Sequence, residues 1–273
     1  MNWLRVAWAF LVRDFLSEFS YRLSFLMVVA GLFIQVASWY FISYFVEEIG
    51  QREVLYALTQ NLDYFSYVLV GMMLQRFMNI AMYNYAGAIR SEQISGTFEA
   101  MLVTPTPLSR IMVGASVWSY VMSAIQMSLM LLVGILVFGV RLQPGSLWVV
   151  LATLLLSVLA LSGIGILSAA FIVYFKRGNP VNFVISTASL LFGNVIIPSA
   201  ALPARFAWIS RLVPISYATE AMRAAVYRGA SFGEVSSQLL VLAGFGVLLL
   251  PIGLFSIRLA VRAAKREGTL VQY

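Results

Sequence analysis

Apolar residues fill six long stretches of the chain, roughly 24–46, 63–85, 111–138, 148–174, 181–200 and 235–258, and polar residues gather between them. Each stretch reaches the ~20 residues that an α-helix needs to cross ~30 Å of hydrocarbon. Backbone hydrogen bonds must close within the segment in lipid, so the pattern predicts six transmembrane helices. The alternating ten-residue segments of a membrane barrel are absent. Ahead of the first span, residues 2–22 carry Leu4, Trp8, Leu11, Phe15 and Phe19 at helical spacing, with Asn2, Arg5, Arg13 and Ser17 on the opposite face. That is an amphipathic helix suited to lie in the headgroup plane rather than in a soluble core. The run Val6 to Val12 is bracketed by Arg5 and Arg13 and precedes no small-residue cleavage site, so it does not read as a signal peptide.

Residues 198–230, between the fifth and sixth spans, follow a different pattern. Pro198, Pro203 and Pro214 interrupt any long helix, yet Phe206, Trp208, Ile209, Leu212, Val213 and Ile215 are too apolar for a solvated loop. Short re-entrant helices dipping into the outer leaflet satisfy both facts, provided that their backbone is buried in protein or lines a water-filled cavity.

Composition agrees with the pattern. The chain has 273 residues, 61% hydrophobic and 11% charged, with a mean hydropathy of +0.90; average soluble domains carry about 25% charged residues. The net charge of +7 fits basic residues that flank spans on the cytoplasmic side better than a nucleic-acid surface. With the N-terminus inside, eleven of the 18 Lys and Arg fall in the cytoplasm: Arg5, Arg13, Arg22, Arg90, Arg110, Lys176, Arg177, Arg258, Arg262, Lys265 and Arg266. Six fall outside (Arg52, Arg141, Arg205, Arg211, Arg223 and Arg228), and Arg76 lies within a span. The bias places both termini in the cytoplasm, with residues 1–273 forming a single membrane domain.

Several chemistries lack their residues. There is no Cys and no His, so ordinary structural zinc, thiol nucleophiles and His acid–base catalysis are excluded, and no metal site is expected. The chain's two lysines, Lys176 and Lys265, follow Phe175 and Ala264, so neither belongs to a Gly-rich phosphate-binding loop. If ATP drives this protein, another polypeptide binds it. Arg76, with Gln75 and Asn79 beside it, is an intramembrane charge and hence a functional candidate, although pairing or snorkelling would also account for it. Ser162, Gly163 and Gly165 in the fourth span, and Gly244 and Gly246 in the sixth, read first as helix-packing positions.

The most informative stretch is Ile89 to Arg110, "IRSEQISGTFEAMLVTPTPLSR". Gly96 separates it from the second span; Phe98, Met101 and Leu102 recur at helical spacing; Glu99 complements the dipole of a first turn. Thr104-Pro105 ends that helix and Thr106-Pro107 suits the start of the third span. A short, well-bounded cytoplasmic helix with an apolar face fits a docking element better than a plain connector.

This segment resembles the permease subunits of type-2 ATP-binding-cassette exporters, whose pattern here is roughly E-x-x-x-G-T-x-E-x-x-x-x-T-P. Glu92, Gly96, Thr97, Glu99, Thr104 and Pro105 match it. A second resemblance lies in the outer segment, where the family shows N-P-x-x-Y-x-x-E-x-x-R; Pro214, Tyr217, Glu220 and Arg223 match, and Val213 stands where Asn is commoner. The resemblance implies that residues 89–107, including Phe98, form a coupling segment docked on a separate ATPase. It implies that residues 198–230, with Pro198 and Pro203, close the pathway on the outside. Two permeases, as a homodimer or with a related permease, would work with two ATPase subunits that bind ATP and Mg, in the cell (inner or plasma) membrane.

Cargo is less constrained. Trp39, Tyr40, Phe41, Tyr44 and Phe45 crowd the outer half of the first span, opposite Tyr64, Phe65 and Tyr67. They suit an interfacial aromatic belt, apolar walls for a drug-like or lipid cargo, or stacking faces for the glycan of a lipid-linked polysaccharide. Trp39, Tyr40, Arg76 and Asn79 are the pathway candidates. A membrane-embedded lipid-modifying enzyme would need convergent acid, base or metal groups, and an ion-driven transporter would need mid-span carboxylates. The sequence provides neither.

Overall fold

In a computed structural model the described residues (3–20, 22–50, 52–94, 103, 108–143, 145–175 and 180–266) form an all-α bundle. Its helices are α1 (Trp3–Ser20), α2 (Arg22–Ile49), α3 (Arg52–Leu58), α4 (Tyr64–Ile94), α5 (Leu108–Leu136), α6 (Leu147–Phe175), α7 (Pro180–Phe192), α8 (Ala204–Ser210), α9 (Pro214–Tyr227) and α10 (Phe232–Arg266). A 3₁₀ turn at Ser199–Ala201 links α7 to α8.

Four helices are both long and apolar enough to cross a membrane, within Phe25–Ile49, Ser116–Leu136, Leu147–Phe175 and Phe232–Ala264. The other two expected spans differ in kind. α4 has 31 residues, about 46 Å at 1.5 Å per residue, but Gln75, Arg76, Asn79 and Asn84 dilute its hydropathy. The stretch 181–200 is helical only to Phe192 and then bends, so α7 is a 13-residue helix. The short helices expected before the last span correspond to α8 and α9, which start at Ala204 and Pro214 behind the proline and valine caps Pro203 and Val213.

Burial does not follow hydropathy. Only 11% of the most apolar window of α2 is buried, whereas α4 is the centre of the core: Phe65, Leu69, Leu74, Phe77, Met78 and Met82 are each at most 5% exposed. In lipid the outside of a bundle is as apolar as its interior, so helix association depends on close packing and internal hydrogen bonds, and the polar helix takes the middle. α6 packs against both α10 and α4 through the small residues of Ser162–Gly165. A Cβ on Gly163 would strike the backbone of Leu249, one on Gly253 would come 2.5 Å from the Gly163 carbonyl, and one on Gly165 would strike the Ala81 carbonyl. A Cβ on Gly244, by contrast, would meet nothing within 4 Å.

α1 lies along α5, where the Phe15 ring meets Trp118 edge-on at 5.5 Å between centroids. Trp8 stays 66% exposed and Phe15 41%, so part of the predicted apolar face remains open, as an interfacial helix requires. The side chains of Leu4 and Phe19 lie outside the described residues.

Candidate functional site

The break after Phe192 exposes backbone that lipid could not satisfy. Helix ends leave their last carbonyls without intrahelical partners, and a buried carbonyl without a donor is costly. Here side-chain donors lie within reach of five successive carbonyls, with the single Thr219 proton shared between Gly193 O (3.4 Å) and the nearer Ser216 O (2.8 Å). Phe192 O accepts from the Ser216 hydroxyl (3.3 Å) and Gly193 O from the Thr219 hydroxyl (3.4 Å). Asn194 O accepts from Arg223 Nη1 (2.8 Å) and from the Tyr67 hydroxyl (3.2 Å). Val195 O accepts from Arg223 Nη2 (3.2 Å) and Ile196 O from the Tyr64 hydroxyl (3.2 Å). Three of these donors belong to α9 and the tyrosines belong to the first turn of α4, so the break is clasped from two sides.

Arg223 is the main element of the clasp. It is 2% exposed, donates Nε and Nη2 to the Tyr67 carbonyl (3.1 and 2.8 Å), and lies 3.5 Å over the Tyr67 ring. Among the described residues no carboxylate forms an ion pair with it. Its charge faces the carbonyl end of α7, where the helix dipole favours a cation. This explains one of the four outer arginines of residues 201–230: Arg223 is an internal donor rather than a flanking charge.

Asn194 makes the bend possible. Its φ of 59° is left-handed, a region that Asn tolerates better than most residues. Its Oδ1 accepts from the Ser199 amide (2.9 Å) and shares the single Tyr67 hydroxyl proton with Asn194 O, Oδ1 being the nearer (2.5 Å against 3.2 Å), and its Nδ2 donates to Glu220 Oε1 (3.4 Å). Gly71 of α4 allows the approach, because a Cβ there would collide with the Val195 carbonyl and come 2.9 Å from Arg223 Nη2.

The matched residues of the outer segment therefore fall into distinct positions. Pro198 is buried before the 3₁₀ turn, Pro203 is the exposed cap of α8 and Pro214 opens α9. The Tyr217 hydroxyl donates to the Arg211 carbonyl (3.0 Å), and Tyr217 and Glu220 line a cleft of about 290 Å³ between α8 and α9. Val213 provides no side-chain cap to α9.

The pathway candidates do not converge. Arg76 Nε donates to Gln126 Oε1 on α5 (2.8 Å), whereas Asn79 Oδ1 accepts from the Ser186 hydroxyl of α7 (2.8 Å) and from Gln75 Nε2 (3.3 Å). Tyr40 is packed at the other end among Phe65 and Phe138, at 5.2 and 4.5 Å, and Trp39 leans on Tyr64, Tyr67 and Val68. Asp63 caps α4, accepting the Ser66 amide at 2.8 Å. Gly96, Thr97, Phe98, Glu99, Thr104, Pro105 and the side chain of Glu92 lie outside the described residues. Among the described residues no group of acidic side chains is arranged to hold a metal ion.

Asn194, Tyr67, Gly71, Ser216 and Thr219 were not singled out from the sequence as parts of a clasp. Only Asn194 followed by Val-Ile-Ile-Pro at the end of an apolar run marks the break. No curated protein matches the chain. The sequence profile of the family described as ABC-2 type transporter matches residues 7–227. With its apolar helices and its multi-pass bundle, the chain belongs to the ABC-2 type transporter family and is a transmembrane subunit of an ABC transporter.

Proposed function

We propose that this subunit works as half of a permease dimer, with a second copy or a related permease, and exports a hydrophobic or amphiphilic compound using two separate ATPase subunits. Residues 89–107 are the coupling segment, with Glu92, Gly96, Thr97, Phe98, Glu99, Thr104 and Pro105 as its key positions. ATP and Mg belong to the partner. The chain sits in the plasma (inner) membrane with both termini in the cytoplasm.

The family match carries this reading, and the course of α4 gives it a mechanism. One uninterrupted helix runs from Tyr64, beside the clasp, to Ile94, at the edge of the coupling segment. A displacement applied near Ile94 reaches the Tyr67 carbonyl and, through Arg223, α9. ATP shifts such an equilibrium only if the partner grips the two states with different affinity. Pro198, Pro203, Pro214, Tyr217, Glu220 and Arg223 then act as the outer gate. A lipid-linked polysaccharide is the alternative cargo.

The test is co-purification of a Walker-motif ATPase, followed by ATPase and transport assays in proteoliposomes. Glu99→Lys and Gly96→Pro are expected to abolish stimulation of the ATPase by the permease while leaving the protein inserted. Unchanged transport in both variants would defeat the coupling assignment.

A further inference from the structure

The bundle leaves one face of α4 partly open. Along α4 the side chains that are not fully buried include Met72, Arg76, Ile80, Tyr83 and Gly87, which share a single stripe. α5 sets Gln126, Met122 and Ser119 beside it. Between the two helices lies a cleft of about 350 Å³ lined by Ile80, Tyr83, Asn84, Trp118, Ser119 and Met122.

Two N–H donors of that lining, Asn84 Nδ2 and Trp118 Nε1, are buried without an acceptor among the described residues. The Ser119 hydroxyl already occupies the other end of the Asn84 amide, donating to Oδ1 at 3.2 Å. One turn beyond Ile80, Arg76 uses Nε on Gln126 and makes no ion pair among the described residues. The unmet groups in the cleft and at its mouth are thus all donors, and one is a cation. Burying donors unmet is costly, and a charge at mid-membrane more so.

Among the described residues no carboxylate meets these donors. None of the eleven Asp and Glu lies in the middle of an apolar stretch. Asp63, on the same helix as Arg76, is about 20 Å away along the axis. A second copy brings the same set to the same depths.

We propose that this α4–α5 cleft takes the anionic headgroup of an amphiphile, a phosphate or carboxylate, with Asn84 and Trp118 as hydrogen-bond donors and Arg76 as the counter-charge. The site stands on the geometry alone; naming its ligand as cargo rests on the transporter reading.

The experiment is equilibrium binding of tritiated dodecyl phosphate to the permease complex in phosphatidylcholine nanodiscs, with empty discs subtracted. Saturable binding is expected, at least about tenfold tighter than that of dodecyltrimethylammonium or dodecanol measured by competition. Arg76→Gln should weaken it about 10- to 100-fold and Trp118→Phe about 3- to 10-fold, with Arg76→Lys falling between wild type and Arg76→Gln. Discs containing phosphatidylglycerol separate the sources. Loss of the signal there assigns the site to a lipid headgroup, persistence assigns it to a free amphiphile, and both outcomes support the anion chemistry. No saturable binding, or equal competition by the cation, overturns the proposal using wild-type protein alone. A complex that exports cargo without this preference loses only the anion site. A complex that binds dodecyl phosphate but has no ATPase stimulation loses only the transporter reading.

Discussion

Replacing Arg223 with Met keeps much of the side-chain volume and removes the donors. Arg223 makes four hydrogen bonds to three carbonyls. The Tyr67 carbonyl, within α4, keeps its place in the helical ladder, so the Asn194 and Val195 carbonyls bear the loss. A hydrogen bond to a charged group contributes about 1.5–3 kcal/mol net, and an orphaned buried carbonyl costs about 1–3 kcal/mol. Against this, Met relieves several kcal/mol of desolvation that the buried cation carries. The balance is a loss of about 2–4 kcal/mol in closure of the bend at residues 193–198. Every 1.4 kcal/mol is tenfold, so local opening should rise at least about 30-fold. Hydrogen exchange in nanodiscs reads this directly at the Gly193 amide, bonded to Ser189 O at 2.8 Å, and at the Ser199 amide, bonded to Asn194 Oδ1. Exchange at both positions within about twofold of wild type would refute the clasp.

Other expectations follow from single contacts. Gly163→Leu drives a side chain into the Leu249 backbone and should lower the melting temperature in nanodiscs, whereas Gly244→Leu, pointing into open space, should not; overpacking costs about 1–3 kcal/mol, and equal shifts would deny the close α6–α10 contact. The Cys-free chain allows single-cysteine labelling. Thr97→Cys should react only from the cytoplasm and Ala204→Cys only from outside, and labelling of both from one side would invert or break the topology.

Hydropathy made α2, α5, α6 and α10 legible, because each is long and apolar enough to cross a membrane. It was a poorer guide to α4, which faces protein, and to α7, which has only 13 residues although Phe183 and Val184 are exposed. α7 ends at Phe192 although Val195, Ile196 and Ile197 continue the apolar run, because the donors that meet the carbonyls beyond it come from residues up to 132 positions distant, as Tyr64 is from Ile196. No local pattern reports such a partner. Asp63 stands at the start of the second apolar stretch, and its role as the α4 cap depends on the helix beginning at Tyr64. The matched motif residues Tyr217, Glu220 and Arg223 were legible as a set, yet only Arg223 reaches deep into the clasp; its purpose depends on a helix end that the sequence conceals.

The two arginines in apolar surroundings separate structure from function. A guanidinium has five N–H donors. Arg223 places three nitrogens on carbonyls and is sealed. Arg76 engages one nitrogen and remains partly accessible. A bundle that satisfies one arginine so fully has no chemical difficulty in satisfying another, since a Glu at the position of Gln126 would pair with Arg76 directly. An incompletely paired charge in a membrane domain costs stability, by at least about 2.5 kcal/mol at a helix centre on insertion scales. Arg76→Gln should therefore leave the melting temperature of the nanodisc-embedded protein unchanged or raised, in contrast to Arg223→Met. If Arg76→Gln instead unfolds the bundle to the same degree, Arg76 is a second structural arginine, and its open donors are not kept for anything outside the chain.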